Sequence, residues 1–305
     1  MGNRRVKMSI FKKIVSLIRK REGLTIAFQL TPSMFWILAF LVIPLAFITV
    51  YSFGVMRAGG WIPEWGFQNY VRLFTGLDGM YFKLLLRSVG IAALVTVCSV
   101  AIAYSLAYFI SFRVEKYKYT WLILLMGPFF ISWVILVLGW RLVIGYSGLL
   151  NYALVQVGLL SEPTRATWGN WGAVVLVLVM GWAPWIVFPI FVSLEKIDKS
   201  LLEAAADLGA NPIKRFLRIT LPLSSPGLLV ATFFILLPIF GEFVTPALAG
   251  GSGGMMYGNL IESSFMGWPR WPFGSAASVT LMILALIIAT ALLRVVRLET
   301  LMESL

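Results

Sequence analysis

Two charged residues inside long apolar segments are the first candidates for chemistry in this chain. Arg141 and Glu242 each lie within such a segment. Inserting a charge into a bilayer costs about 3 kcal/mol, so an ionisable residue at such a position usually has a function. The two side chains could form a structural ion pair, or Glu242 could line a path for cations. The sequence leaves both alternatives open.

Residues for metal binding or covalent catalysis are scarce. The chain contains no histidine and one cysteine, Cys98, so the common zinc, haem and iron–sulfur ligand sets cannot be built from it. The sequence contains no group of acid, base and nucleophile residues near a predicted membrane interface, which disfavours an integral membrane enzyme. The phosphate-binding G-x-x-x-x-G-K-[ST] loop is also missing, because no Gly-Lys dipeptide occurs. We therefore expect no catalytic residue, metal or cofactor in this chain.

Long apolar runs must position these residues. Of the 305 residues, 60% are hydrophobic and 12% are charged, a composition that a water-soluble core could not hide. Each run has about 20 residues and can cross the bilayer as a helix. We predict an all-α polytopic membrane protein with six transmembrane helices: Leu30–Phe53, Leu84–Ser111, Thr120–Gly145, Trp171–Leu194, Gly227–Ala249 and Ser275–Leu293.

The basic residues are distributed unevenly around these helices. Under this topology, 18 of the 25 Lys and Arg residues lie on the face that carries both termini, and such a bias marks the cytoplasmic side. We therefore expect both termini in the cytoplasm. The net charge of +12 then reflects membrane topology, and no nucleic-acid partner is needed to explain it.

Four segments follow from this topology. Residues 1–29 are predicted to form a basic amphipathic helix on the cytoplasmic membrane surface. Residues 30–83 contain the first transmembrane helix and an outer loop, and residues 84–293 form a five-helix core. Residues 294–305 form a cytoplasmic tail. The core includes a cytoplasmic loop at 195–224, which carries the most informative sequence pattern.

That loop is predicted to form a helix-turn-helix. Ser200 and Glu203 have the spacing of a capping box at the start of a short helix. Gly209 can end this helix in a left-handed conformation. Asn211 can cap a second helix whose first residue is Pro212.

The second helix should end before Pro222. The whole loop also resembles a loop found in a known family. The resemblance is to the EAA loop of permeases from binding-protein-dependent ABC importers. It is carried by Glu203, Ala204, Ala205, Gly209, Ile219, Leu221 and Pro222.

The resemblance implies a type I ABC importer permease fold. In that family the loop forms a coupling helix seated in a groove of a cytoplasmic ATPase dimer. ATP and Mg would then be bound by the ATPase partner and not by this chain. The alternative is that Glu203 only caps its own helix and Gly209 only ends it.

The fourth and fifth predicted spans contain candidates for a translocation path. Pro238 and Gly241 interrupt the fifth span, and such breaks are tolerated where the backbone faces protein or a water-filled cavity. Trp182 and Trp185 in the fourth span could stack on an organic cation. The favoured alternative is that these two rings fill space between helices.

A second resemblance concerns the solute. The last third of the chain looks like the spermidine/putrescine permeases, and this likeness implies a polyamine importer in the cytoplasmic (inner) membrane. It implies as partners a second, different permease chain and an extracytoplasmic solute-binding protein. The segments that carry it are 241–246, 250–251, 258–261 and 271–275.

Two alternatives remain for the function. Related permeases for iron(III), opines and other small organic solutes share much of this pattern, so the same importer class could carry another solute. An ion-coupled secondary transporter is less favoured, because intramembrane carboxylates and histidines are scarce.

Overall fold

The computed structural model describes residues 22–57, 60–164, 167–267 and 270–302. Nearly all of the regular structure in these ranges is helical, as predicted, and one short hairpin pairs Met56 with Trp61. The elements in chain order are α1 Glu22–Ile37, a π-helical turn Leu38–Val42, α2 Ile43–Ser52, β1 Val55–Arg57, β2 Gly60–Ile62, α3 Gln68–Thr75, α4 Met80–Arg113, α5 Lys118–Met126, a 3-10 turn Gly127–Phe130, α6 Trp133–Ile144, α7 Leu149–Gln156, α8 Trp171–Glu195, α9 Lys199–Asp207, α10 Pro212–Arg215, a π-helical turn Phe216–Thr220, α11 Leu221–Leu223, α12 Ser225–Phe240, α13 Val244–Ala249, α14 Tyr257–Met266 and α15 Trp271–Met302.

Five helical segments are long and apolar enough to cross a membrane within the described ranges. The count rises to six if the bent pair Pro212–Leu223 and Ser225–Phe240, which meet at 63°, forms one span. The five segments are Phe28–Ser52, Met80–Arg113, Trp133–Gln156, Trp171–Glu195 and Trp271–Arg294.

The core lies where α4, α8 and α12 pack together. Helices α4 and α8 make the most extensive interhelical contact in the described part of the chain. Val95 of α4, Ile186 of α8 and Ile235 of α12 are fully buried in one apolar cluster. Because lipid is as apolar as these side chains, close packing holds the helices together more than burial from water does.

The third predicted span, Thr120–Gly145, is wrong as a continuous helix. Helix α5 ends at Met126, a 3-10 turn follows, and α6 begins only at Trp133. Pro128 lies in that turn; it has no backbone N–H to donate, and its ring crowds the preceding helical turn. Ser132 is extended, with φ −54° and ψ 134°, so the chain changes direction here.

The predicted interruption of the fifth span is confirmed. Helix α12 ends at Phe240, residues Gly241–Phe243 are not helical, and α13 resumes at Val244. The continuous range Gly227–Ala249 is therefore replaced by two helices separated by a break.

The predicted N-terminal helix falls largely outside the described residues. Its residues 1–21 are not described, and α1 begins at Glu22. The first span is described and packs mainly through α2 against α15. At the other end, the predicted tail from residue 294 continues α15 as far as Met302.

Candidate functional site

The loop at 195–224 leaves the helical bundle beside an ion pair. Glu195 ends α8, and its Oε1 atom accepts from Lys118 Nζ at 2.9 Å. Its Oε2 atom accepts from Ser111 Oγ at 3.1 Å. Glu195 thereby joins three segments at the base of the loop. Sequence reasoning missed these contacts because Lys118 and Ser111 are 77 and 84 positions from Glu195.

We expect Lys118→Gln to lower stability more than Arg57→Gln. The Lys118 side chain is 16% exposed, whereas Arg57, which pairs with Glu64, is 65% exposed. Exposed pairs contribute about 0–1 kcal/mol, so we place the Lys118 pair near the upper limit and the Arg57 pair near zero. Thermal unfolding in detergent, with a double-mutant cycle through Glu195→Gln, measures both the effect and the coupling. Equal shifts in the two single variants would contradict this expectation.

The first helix of the loop is capped differently from the prediction. The cap of α9 is Asp198, whose Oδ1 atom accepts from Ser200 N at 2.9 Å. Ser200 is therefore the second helical residue, and the predicted capping box between Ser200 and Glu203 does not form. Instead, Glu203 is exposed.

The capping bond has an electrostatic consequence. It lowers the pKa of the Asp198 carboxyl below its usual value, because the charged form accepts the backbone hydrogen bond. The cap therefore contributes to helix stability at neutral pH and loses this contribution as the pH falls through the lowered pKa.

The turn between the two loop helices is confirmed in detail. Gly209 has φ +81°, a conformation that L side chains rarely adopt. Its N–H donates to Ala206 O at 2.8 Å. Asn211 Oδ1 accepts from Lys214 N at 2.8 Å, and Pro212 is the first residue of α10.

The prediction that the second loop helix ends before Pro222 is wrong. It continues through a π-helical turn, Phe216–Thr220, into Leu221–Leu223, and bends by 63° into α12. The wider turn lets Leu221 N–H donate to Phe216 O, and Pro222 lies at the start of α11, where a missing donor is tolerated. At the bend, Ser224 Oγ lies 2.9 Å from Tyr104 OH of α4.

The loop presents apolar side chains outward. Leu208 is 90% exposed and Ile213 is 68% exposed. Ala204 is exposed beside Glu203, whereas Ala205, Ile219 and Leu221 are half-buried. An exposed apolar surface of this kind is typical of a protein contact.

The two tryptophans of α8 pack against aromatic residues at the break between α5 and α6. Trp185 stacks on Phe129, with ring centroids 4.0 Å apart, and Trp182 packs against Trp133 at 5.7 Å. These contacts agree with the packing alternative, although Trp185 also lines a groove of about 580 Å³. Sequence reasoning missed Phe129 and Trp133, for which the neighbouring Gly-Pro pair was the available signal.

Arg141 and Glu242 do not form an ion pair in the structure. Glu242 Oε1 accepts from Thr245 N at 2.9 Å, which caps the start of α13. Arg141 is exposed and lines a different cavity, of about 540 Å³, together with Trp168. The role of Glu242 in a cation path stays a prediction.

The break after α12 is held by residues distant in sequence. A Cβ on Gly258 would lie 2.5 Å from Glu242 O, so the two backbones are in direct contact. Asn259 Nδ2 donates to Phe243 O at 2.8 Å, and its Oδ1 atom accepts from Met256 N at 3.0 Å. Such bonds satisfy the backbone groups that the break would otherwise leave unpaired.

We call residues 241–246, 258–261 and 271–275 the broken-helix cluster. They are three of the segments that resemble spermidine/putrescine permeases, and the fold brings them together: Asn259 Nδ2 donates to Phe243 O at 2.8 Å, and Phe273 lies in the same apolar cluster as Leu260. Tyr257 N donates to Ser88 Oγ at 2.7 Å near the start of α4. The cluster therefore lies towards the end of the bundle opposite the loop at 195–224.

Comparisons with known proteins agree with this architecture. The spermidine/putrescine transport system permease protein PotB of Escherichia coli (strain K12) is 34% identical over 249 residues, covering 81% of this chain and 89% of the relative. PotB of Haemophilus influenzae is 35% identical over 251 residues, covering 82% and 86%.

A solved structure shows the same fold. It is the bacterial ABC transporter involved in import of the acidic polysaccharide alginate, with a TM-score of 0.68 and 21% identity, covering 93% of this chain and 98% of the other. This likeness confirms the type I ABC importer permease fold. The sequence model of the family described as "Binding-protein-dependent transport system inner membrane component" matches residues 96–298. The chain belongs to this family of multi-pass inner-membrane permeases of ABC importers.

Proposed function

We propose that this chain is the permease subunit of an ATP-driven importer for polyamines such as spermidine and putrescine. The observation that carries the solute assignment is the similarity to spermidine/putrescine permeases over four fifths of the chain. Three of the segments whose sequence resembles those permeases contact one another in the broken-helix cluster, where non-helical backbone in a membrane is typical of a solute path.

The loop at 195–224 is the proposed contact with the energy source. A cytoplasmic ATPase dimer binds ATP and Mg and receives the loop in a groove, with Glu203 and the exposed Leu208 at the contact. The bias of Lys and Arg supports placing this loop and both termini in the cytoplasm.

The connection from the loop to the path is continuous. Residues from Pro212 to Leu223 form an unbroken run of α- and π-helical turns that leads through the 63° bend into α12. Helix α12 ends at the broken-helix cluster. Movement of the loop on ATP binding would therefore shift the cluster and alternate the access of the path between the two sides.

Two further partners complete the proposed importer. A second permease chain, different from this one, would form the other half of the path. An extracytoplasmic solute-binding protein would deliver the polyamine at the end of the bundle opposite the loop. In support, one solved structure similar to this chain is a bacterial alginate ABC transporter in complex with a periplasmic protein.

Uptake of labelled spermidine and putrescine tests the proposal. We expect saturable uptake into cells expressing the whole transport cluster, and its loss when this chain is omitted. Uptake should persist when an ionophore collapses the ion gradients while cellular ATP is maintained. Loss of uptake with the gradients would favour an ion-coupled transporter. ATP-dependent uptake of a different solute would support the importer class and contradict the assignment of polyamines as the solute.

A further inference from the structure

A cavity of about 600 Å³ opens beside the broken-helix cluster, between α12, α14 and α15. Its volume lies within the roughly 300–1,000 Å³ of small-molecule sites. Most of its lining is apolar, with Phe243 at the break, Phe265 on α14 and Met282 on α15. Such a surface suits a hydrocarbon chain.

One carboxylate interrupts this apolar lining. Glu262 of α14 is half-buried and is the only ionisable residue among those that line the cavity in the described structure. It forms no ion pair or side-chain hydrogen bond with the described residues. A charged group on an apolar wall gains from an opposite charge as its contact with water is reduced, and a ligand cation would supply that charge.

The surrounding groups also favour positive charge. Helix α12 has 16 residues and ends at Phe240, which lines the cavity with Gly241. The C-terminal end of a helix carries partial negative charge and attracts cations. Phe243 is 43% exposed, and the faces of such rings attract ammonium groups. Three independent features thus favour the same class of ligand.

We propose that this cavity binds an aliphatic ammonium cation, with one nitrogen at Glu262 and the methylene chain along the apolar wall. The site is separate from Glu242, whose Oε1 atom already accepts from Thr245 N. That the natural ligand is the transported polyamine rests on the proposed function; the preference for an alkylammonium ion rests on the cavity itself.

Photolabelling of the assembled transporter tests the site directly. The probe is an alkylamine carrying a diazirine, applied to the complete complex in phosphatidylcholine nanodiscs, and labelled peptides are mapped by mass spectrometry. We expect labelling on α14 or α15 that excess spermidine displaces. Glu262→Gln keeps the side-chain shape but removes the charge, and it should lower this labelling about tenfold, as expected for a hydrogen bond to a charged group.

Two further variants separate the site from its surroundings. Glu162→Gln removes an exposed carboxylate in the loop between α7 and α8 and should leave labelling unchanged, which controls for general attraction of cations. Ala285→Phe fills the cavity without altering its charge and should also abolish labelling. Equal labelling in wild type and Glu262→Gln, or equal losses in Glu262→Gln and Glu162→Gln, would overturn the proposal. Undiminished labelling in Ala285→Phe would overturn it as well.

The remaining outcomes distinguish this proposal from the proposed function. If the labelling is lost in Glu262→Gln but the transporter imports no polyamine, the cation site is supported and the polyamine assignment is contradicted. Polyamine uptake with an unchanged apparent KM in Glu262→Gln, and no labelling of the cavity, would keep the solute and reject the site. Displacement by added phosphatidylethanolamine but not by spermidine would show a lipid headgroup site and reject the polyamine ligand.

Discussion

Replacing Gly209 by valine is expected to lower solute uptake roughly tenfold, because a left-handed conformation costs an L residue about 1–2 kcal/mol. Gly209 has φ +81°, and a Cβ added there would meet no neighbouring atom within 4 Å. The expected effect therefore comes from backbone strain and not from a clash. Strain at the turn would reorient α9 relative to α10 and disturb the proposed contact with the ATPase.

Gly209→Asn is the matched control for this prediction. Asparagine enters the left-handed region more readily than other L residues, so its uptake should stay close to that of wild type. Membrane insertion and assembly should be intact in both variants, as measured by membrane yield and size-exclusion chromatography of the complex. Full uptake by the valine variant, or equal losses in both, would contradict the role of the turn.

Glu203→Gln tests the same contact without changing the backbone. Glu203 is exposed on α9 and does not cap the helix, since Asp198 does so. We therefore expect the variant to insert normally, transport less and hydrolyse more ATP per solute imported. An unchanged ratio of hydrolysis to uptake would favour the alternative that Glu203 has only a local role.

Gly258→Ala is expected to disrupt the broken-helix cluster and abolish most uptake. The added Cβ would lie 2.5 Å from Glu242 O and 2.9 Å from Gly241 O. Both contacts are to backbone atoms, which cannot move aside as a flexible side chain can. Overpacking of this kind costs about 1–3 kcal/mol, so we expect a lower unfolding temperature together with the loss of transport.

Gly253→Ala is the control for Gly258→Ala. Gly253 lies in the glycine-rich turn between α13 and α14, and a Cβ there meets nothing within 4 Å. Its unfolding temperature and uptake should match wild type. Thermal unfolding of the detergent-solubilised complex, followed by tryptophan fluorescence, measures the difference. Equal stability of the two variants would show that the backbone contact at Gly258 is not restrictive.

Within the loop at 195–224, the sequence predicted the turn and the second cap but not the first cap or the end of the second helix. Gly209, Asn211 and Pro212 have the predicted roles, because turn and cap preferences depend on near neighbours. The predicted capping box does not form because Asp198, two residues before Ser200, caps the helix instead. The predicted stop before Pro222 failed because a π-helical turn accommodates the proline.

The positions of most spans and the break in the fifth span also followed from the sequence, but the break in the third span and the contacts between spans did not. The continuous third span was wrong although Gly127 and Pro128 were visible in the sequence. The contact between Gly258 and Glu242 depends on how the chain returns to α12 after α13, which no local pattern specifies. The functional roles of Glu203, Trp182 and Glu242 remain predictions.

The first span has a consequence for biogenesis. Its helix α2 packs mainly against α15 among the described elements, and residues 53–270 separate the two helices in the sequence. The ribosome therefore synthesises α2 long before α15. The first span enters the membrane without its main described contact and can dock only after α15 has been inserted. Chains truncated before Trp271 should therefore leave the first span without this contact.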